Sequence, residues 1–88
     1  MNKNRRKELR DWIKMVENWV VQGEEIKSRL EDICSEEEDY MDNIPENLQG
    51  GQRYSDAEEA VDTMNEAVES MDNAIDAANE AASCIEGI

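Results

Sequence analysis

Apolar positions recur at alternating steps of three and four along the first half of the chain: Leu9, Trp12, Val16, Trp19, Gly23, Ile26, Leu30, Ile33, Glu37, Tyr40 and Ile44. Gly23 and Glu37 are the exceptions, and Ile13, Val20, Cys34 and Met41 widen the stripe. A strand would alternate with period two, so this spacing predicts a helix over about residues 4–42, ~58 Å long at 1.5 Å per residue. Asn2 or Asn4 can cap its start, whereas Arg5, Arg6 and Lys7 in its first turn oppose the helix dipole. Gly23 reads as a bend, a close helix contact or a tolerated glycine. The run Glu36 to Asp39 places like charges near the C-terminal end, where the dipole disfavours them and fraying is expected.

The last third repeats every seven residues. Ala60, Ala67, Ala74 and Ala81 open four successive units, and Met64, Met71, Ala78 and Ile85 fill the fifth place of each. Such a period keeps one seam of a helix facing a partner helix. Ser55 with Glu58 reads as a capping box, so this second helix is expected over about residues 56–86. Between the helices, residues 43–54 form the break. Ile44 precedes Pro45 and should leave the helical region, and Gly50-Gly51 permits a turn that other residues resist.

Two long amphipathic helices joined by a short connection predict an all-α fold, an antiparallel helical hairpin forming a single domain over residues 1–88. A turn centred near residues 48–49 pairs position i with about 97 − i. Trp19 then meets Ala78, Trp12 meets Ala81, Ala82 and Ile85, Met64 meets Ile33, and Met71 meets Ile26. Large side chains face small ones, which fills the space between helices. In this register Cys34 and Cys84 lie ~30 Å apart, beyond the reach of an intramolecular disulfide, and both read as small hydrophobes on the apolar side. The first helix carries a stripe wider than one alanine-rich helix covers. A chain this small gains little from a lone helical pair, so self-association into a four-helix bundle, most simply an antiparallel dimer, is expected.

Charge changes the picture more than length does. Residues 1–14 hold six basic and two acidic residues, +4; residues 15–88 hold three basic and twenty-one acidic, −18; the sum is the net −14 of the chain. No lysine or arginine follows Arg53. The chain has no apolar run able to span a membrane and no secretory-signal core, so a cytoplasmic location is expected. Histidine is absent, and so are a Cys-x-x-Cys pair, a nucleophile elbow, a phosphate-binding loop and calcium-loop spacing. No catalysis, cofactor or metal is expected. A linear acidic run such as Glu36 to Asp39 lacks the converging ligands of a calcium site.

Asp62, Glu66, Glu69, Asp72, Asp76 and Glu80 climb the second helix at steps of three or four, about 5–6 Å apart. One reading is a solvated face; the other is mimicry of a nucleic-acid strand, placed in the basic groove of a partner protein. An ordinary surface helix mixes signs, and this one does not. Direct nucleic-acid binding needs a broad basic surface and is not expected. The only basic cluster is Arg5, Arg6, Lys7, Arg10 and Lys14, which either holds an anion or pairs with acids of a neighbouring subunit. An alternative function follows: an oligomeric sponge in which Arg5, Arg6, Lys7 and Arg10 with Asn47, Gln49, Arg53 and Tyr54 enclose an anionic nucleotide. A structural coiled-coil adaptor is the third reading.

The segment Asp42-Asn43-Ile44-Pro45-Glu46-Asn47-Leu48-Gln49-Gly50, followed by Arg53-Tyr54 and alanine-rich heptads, resembles a family of small acidic two-helix proteins of Firmicute phages and mobile elements. In that family a Pro-Glu-Asn-Leu-Gln-Gly turn joins the helices, and the basic start is similar too. Gly50-Gly51 departs from the usual Gly-Ser. The resemblance covers nearly the whole chain and implies an origin in a phage or mobile element, residing in the cytoplasm of a bacterial host. By analogy with other small acidic phage proteins it implies an anti-CRISPR-like inhibitor of host defence.

Overall fold

The computed structural model describes all 88 residues. Helix α1 spans Lys3–Asp42, a single 3-10 turn spans Glu46–Leu48, and helix α2 spans Gln52–Glu86. The two helices pack antiparallel into a hairpin 70 Å long with a cross-section of 15 × 14 Å. Two straight helices side by side would measure about 14 by about 5 Å between Cα atoms. The near-equal cross-section shows that the pair departs from two straight parallel rods, and a seven-residue apolar period calls for winding of the two helices about each other.

Asn2 caps α1, its Oδ1 accepting from the Arg5 N–H at 2.8 Å. At the other end the Asn43 N–H closes on the Asp39 carbonyl at 3.1 Å, so the acidic run Glu36 to Asp39 lies within the helix. Ile44 leaves it and is buried under the turn, where the Gln49 side chain donates to its carbonyl at 3.3 Å.

The start of α2 corrects the expected capping box. Helix α2 begins one turn earlier, at Gln52, with extended Gly51 as its N-cap and no side-chain cap. The Ser55 N–H is already committed to the Gly51 carbonyl at 3.2 Å. The cause lies in the turn: the 3-10 segment delivers the Gly51 N–H to the Leu48 carbonyl at 3.1 Å, and the chain is helical from there. Neither glycine takes a positive φ, so left-handed freedom is not what the pair supplies. At Gly51 the reason is steric, since a Cβ there would lie 3.2 Å from the Leu48 carbonyl oxygen.

The register is close to the expected one. Trp12, Val16 and Trp19 share a groove with Ala78 and Ala81, and the carboxylate of Asp72 reaches Lys27. The seam itself is rotated from the expected stripe. Facing α2 are Leu9, Ile13, Val16, Val20, Gly23, Lys27, Leu30, Cys34, Glu37 and Met41, all buried or half-buried. Trp12, Trp19, Ile26, Ile33 and Tyr40 lie outside it, exposed by 38, 47, 61, 46 and 41%. On α2 the seam is Ala57, Val61, Met64, Val68, Met71, Ile75, Ala78, Ala82 and Ile85.

Packing decides between the two stripes. Indole rings are too wide for a close seam, whereas Gly23 lets Ile75 approach until a Cβ added to the glycine would sit 3.3 Å from Ile75 Cγ1. Gly23 is thus a close contact, and Ile75 is 3% exposed against it. Both cysteines are free; Cys34 is buried in the seam, but Cys84 is exposed rather than on the apolar side as expected.

Candidate functional site

The seam separates two unlike flanks. On one of them Lys27 Nζ reaches Asp72 at 2.6 Å and Glu24 at 3.4 Å. Seven residues earlier along α2, the Cys34 thiol lies 3.5 Å from Asn65 Oδ1 and 3.6 Å from Glu38 Oε1. Glu24 and Glu38 of α1 therefore share a flank with Asp72 and Asn65 of α2. At seven-residue steps through them runs the column Glu17, Glu24, Glu31, Glu38, every member exposed. Asp62, Glu69 and Asp76 adjoin it on α2, three or four residues from Asn65 or Asp72.

The expected acidic stripe is thus half of a two-helix acidic face. Asp62, Glu69, Asp72 and Asp76 belong to the face, while Glu66 and Glu80 continue it round the back of α2; all but half-buried Asp72 are exposed. The α1 column was concealed by the Glu36 to Asp39 run. The strict spacing of Glu17, Glu24, Glu31 and Glu38 was its signal.

Lys27 makes both ion pairs of the protein, and both are with carboxylates of this face; one seven-residue step before Glu17 the column passes to Arg10 at the open end. The Lys27 side chain is largely enclosed by the seam, and the hydrogen bond it donates to Asp72 raises its pKa above the ordinary value, against the opposing pull of desolvation. Burial pushes the Cys34 thiol up, helped by its contact with Glu38. Both shifts are upward, so the stability these groups contribute is complete below their ordinary values, 9.0 and 10.5. It is lost as pH rises through the higher folded values, and near neutrality it is constant.

Replacing Lys27 with Glu would set three carboxylates together inside the seam. The thermal midpoint, read by circular dichroism, is expected to fall by several degrees. It should recover in part at about 1 M salt, where the Debye length is about 3 Å. An unchanged midpoint would remove Lys27 from the seam.

The two sets of residues that a nucleotide site would need occupy opposite ends of the rod. Arg5, Arg6, Lys7 and Arg10 stand at the open end and are exposed. Asn47, Gln49, Arg53 and Tyr54 stand at the turn, so one chain does not bring the two sets together across its 70 Å. At the turn Arg53 Nε donates to the Tyr40 hydroxyl at 2.9 Å, with its guanidinium 5.6 Å from the ring centre. The pair borders a cleft of about 470 Å³ floored by Ile44, Pro45 and Leu48. Asn47, Gln49 and Tyr54 do not line it.

No group of three His, Cys, Asp or Glu side chains converges as metal ligands would. No helix is long and apolar enough to cross a membrane. Compared with protein-family models, with curated proteins and with solved structures, the chain matches none.

Proposed function

We propose that this chain is a non-catalytic binding protein of a phage or mobile element, acting in the cytoplasm of a bacterial host. Its acidic face occupies the basic groove of a nucleic-acid-handling or defence protein, in the manner of an anti-CRISPR. The observation that carries this reading is segregation of charge. Glu17, Glu24, Glu31 and Glu38 run beside Asp62, Glu69, Asp72 and Asp76 on one flank, with Lys27 the only cation paired to them. Carboxylates spread only for solubility need no common flank. Glu69, Asp72 and Asp76 follow one another about 5–6 Å apart along α2, and the α1 column steps by about 10 Å beside them; together they present a density of negative charge that a phosphate-binding groove would accept.

Capture from bacterial lysate on the immobilised protein tests this, with a graded salt wash. Nucleic-acid-binding proteins released over a narrow rise in salt are expected. A catch of proteins without nucleic-acid function, held through high salt, would favour the adaptor reading. The sponge reading draws on Arg53, which lies at the lip of the turn cleft without a carboxylate partner; it requires that nucleotides raise the thermal midpoint, and mimicry requires that they do not.

A further inference from the structure

The flank opposite the acidic face is apolar over its full length. Trp12, Trp19, Ile26, Ile33 and Tyr40 follow one another at seven-residue steps on α1, each more than a third exposed. Beside them on α2 run Ala60, Ala67, Ala74 and Ala81 at the same step, and the groove joining Trp12, Trp19 and Ala81 places both columns on one flank. A contiguous exposed apolar strip of this length marks an interaction surface on a small protein. It lies away from the carboxylates on which the proposed function rests, and is independent of that reading.

We infer that this flank binds a second copy of the chain, antiparallel, with a two-fold axis passing at Ile26. The columns are self-complementary about that level. Trp12 and Tyr40 lie equally far from Ile26 on either side, and so do Trp19 and Ile33. On α2, Gly23 facing Ile75 and Lys27 reaching Asp72 put the level opposite Ile26 near residue 72, and Ala67 and Ala74, then Ala60 and Ala81, bracket residues 70–71, within two residues of it. An isologous interface requires such a patch, since each contact must occur twice with partners exchanged. Alanine against alanine lets the two α2 helices approach closely, while the large side chains of α1 meet those of the second α1.

Charge selects the antiparallel direction. The basic start, +4 over residues 1–14, comes beside the turn end of the other copy. There Glu36, Glu37, Glu38, Asp39, Asp42 and Glu46 carry −6 over residues 36–46 without a base. The parallel arrangement stacks acid on acid at one end and base on base at the other. In the antiparallel dimer the two acidic faces point outward, away from each other.

Sedimentation equilibrium tests the interface. The chain should sediment as a dimer of twice 10.1 kDa, and Ile26→Glu should weaken association by at least about tenfold while keeping helical circular dichroism. Ala67→Glu, on the other helix of the same flank, should do likewise and stands in if Ile26→Glu unfolds. Val21→Glu, equally exposed but off the flank, should leave the dimer intact. In a Cys84→Ser chain, Ile26→Cys should be joined to its counterpart by a mild oxidant, because facing positions on the axis bring Cα atoms within about 7 Å. A monomer at 100 micromolar (about the range where weak dimers assemble), a dimer indifferent to both flank variants, or a dimer that fails to link through residue 26 overturns the inference.

Discussion

Ile75→Ala is expected to cost the hairpin roughly 2–5 kcal/mol, as for other buried isoleucines, and to lower its thermal midpoint by at least about 10 °C. Ile75 is the large side chain set against Gly23 at the middle of the rod, and it is 3% exposed. Truncation opens a void facing a glycine, which has no side chain to close it. The converse change gives the same direction: Gly23→Leu drives a side chain into the space that Ile75 fills. Gly23→Ala separates the two effects. Its Cβ would meet Ile75 Cγ1 at 3.3 Å, while alanine regains ~1 kcal/mol of helix propensity, so a change within about 1 kcal/mol is expected. Thermal melts of the three variants check this, and a tolerated Gly23→Leu would contradict the close approach.

The second large effect concerns binding. Changing Glu17, Glu24, Glu31 and Glu38 to Gln removes four charges from the acidic face. Changing Glu25, Asp32, Asp39 and Glu59 to their amides removes four charges from elsewhere, all of them exposed residues. Both variants carry −10 where the parent carries −14. Such surface changes alter stability by less than ~0.5 kcal/mol each, so both should remain helical. The first should bind the captured host protein at least about a hundredfold more weakly, and the second within about fivefold, when charge complementarity sets recognition. Titration by calorimetry at low and high salt measures this. Equal losses would mean that net charge alone governs binding and that the face has no special standing.

Much of the hairpin is legible in the residues. The three-four steps from Leu9, the proline after Ile44 and the heptads from Ala60 place two helices, and α1 ends at Asp42 and α2 at Glu86 as expected. The register is legible because large and small positions complement each other along the whole length. Rotation of α1 is not, because two apolar stripes share Leu9, Val16, Gly23 and Leu30. Hydropathy favours the stripe with Trp12, Trp19 and Ile26 over the one with Lys27. The choice rests on three-dimensional facts: Ile75 fits against Gly23, and Lys27 reaches Asp72 and Glu24 from within the seam.

The same rotation explains what was hidden at the candidate site. Once Ile13, Val20, Lys27 and Cys34 face α2, the glutamates at 17, 24, 31 and 38 are carried beside the α2 carboxylates, and the indoles are carried to the other flank. The start of α2 at Gln52 differs from the expected one for a local reason. Ser55-x-x-Glu58 has the residues of a capping box, but the 3-10 turn had already aligned Gly51 and Gln52 for helix.

Competition for a single partner bears most directly on the proposed function. A host protein captured on this chain is mixed with its own fluorescent duplex or single strand, and the unlabelled chain is added in steps. The expected result is full displacement of the nucleic acid, with an apparent affinity that weakens in proportion as more nucleic acid is supplied. A ternary complex, in which chain and nucleic acid bind the same protein together without mutual loss of affinity, would contradict occupation of the groove by the acidic face.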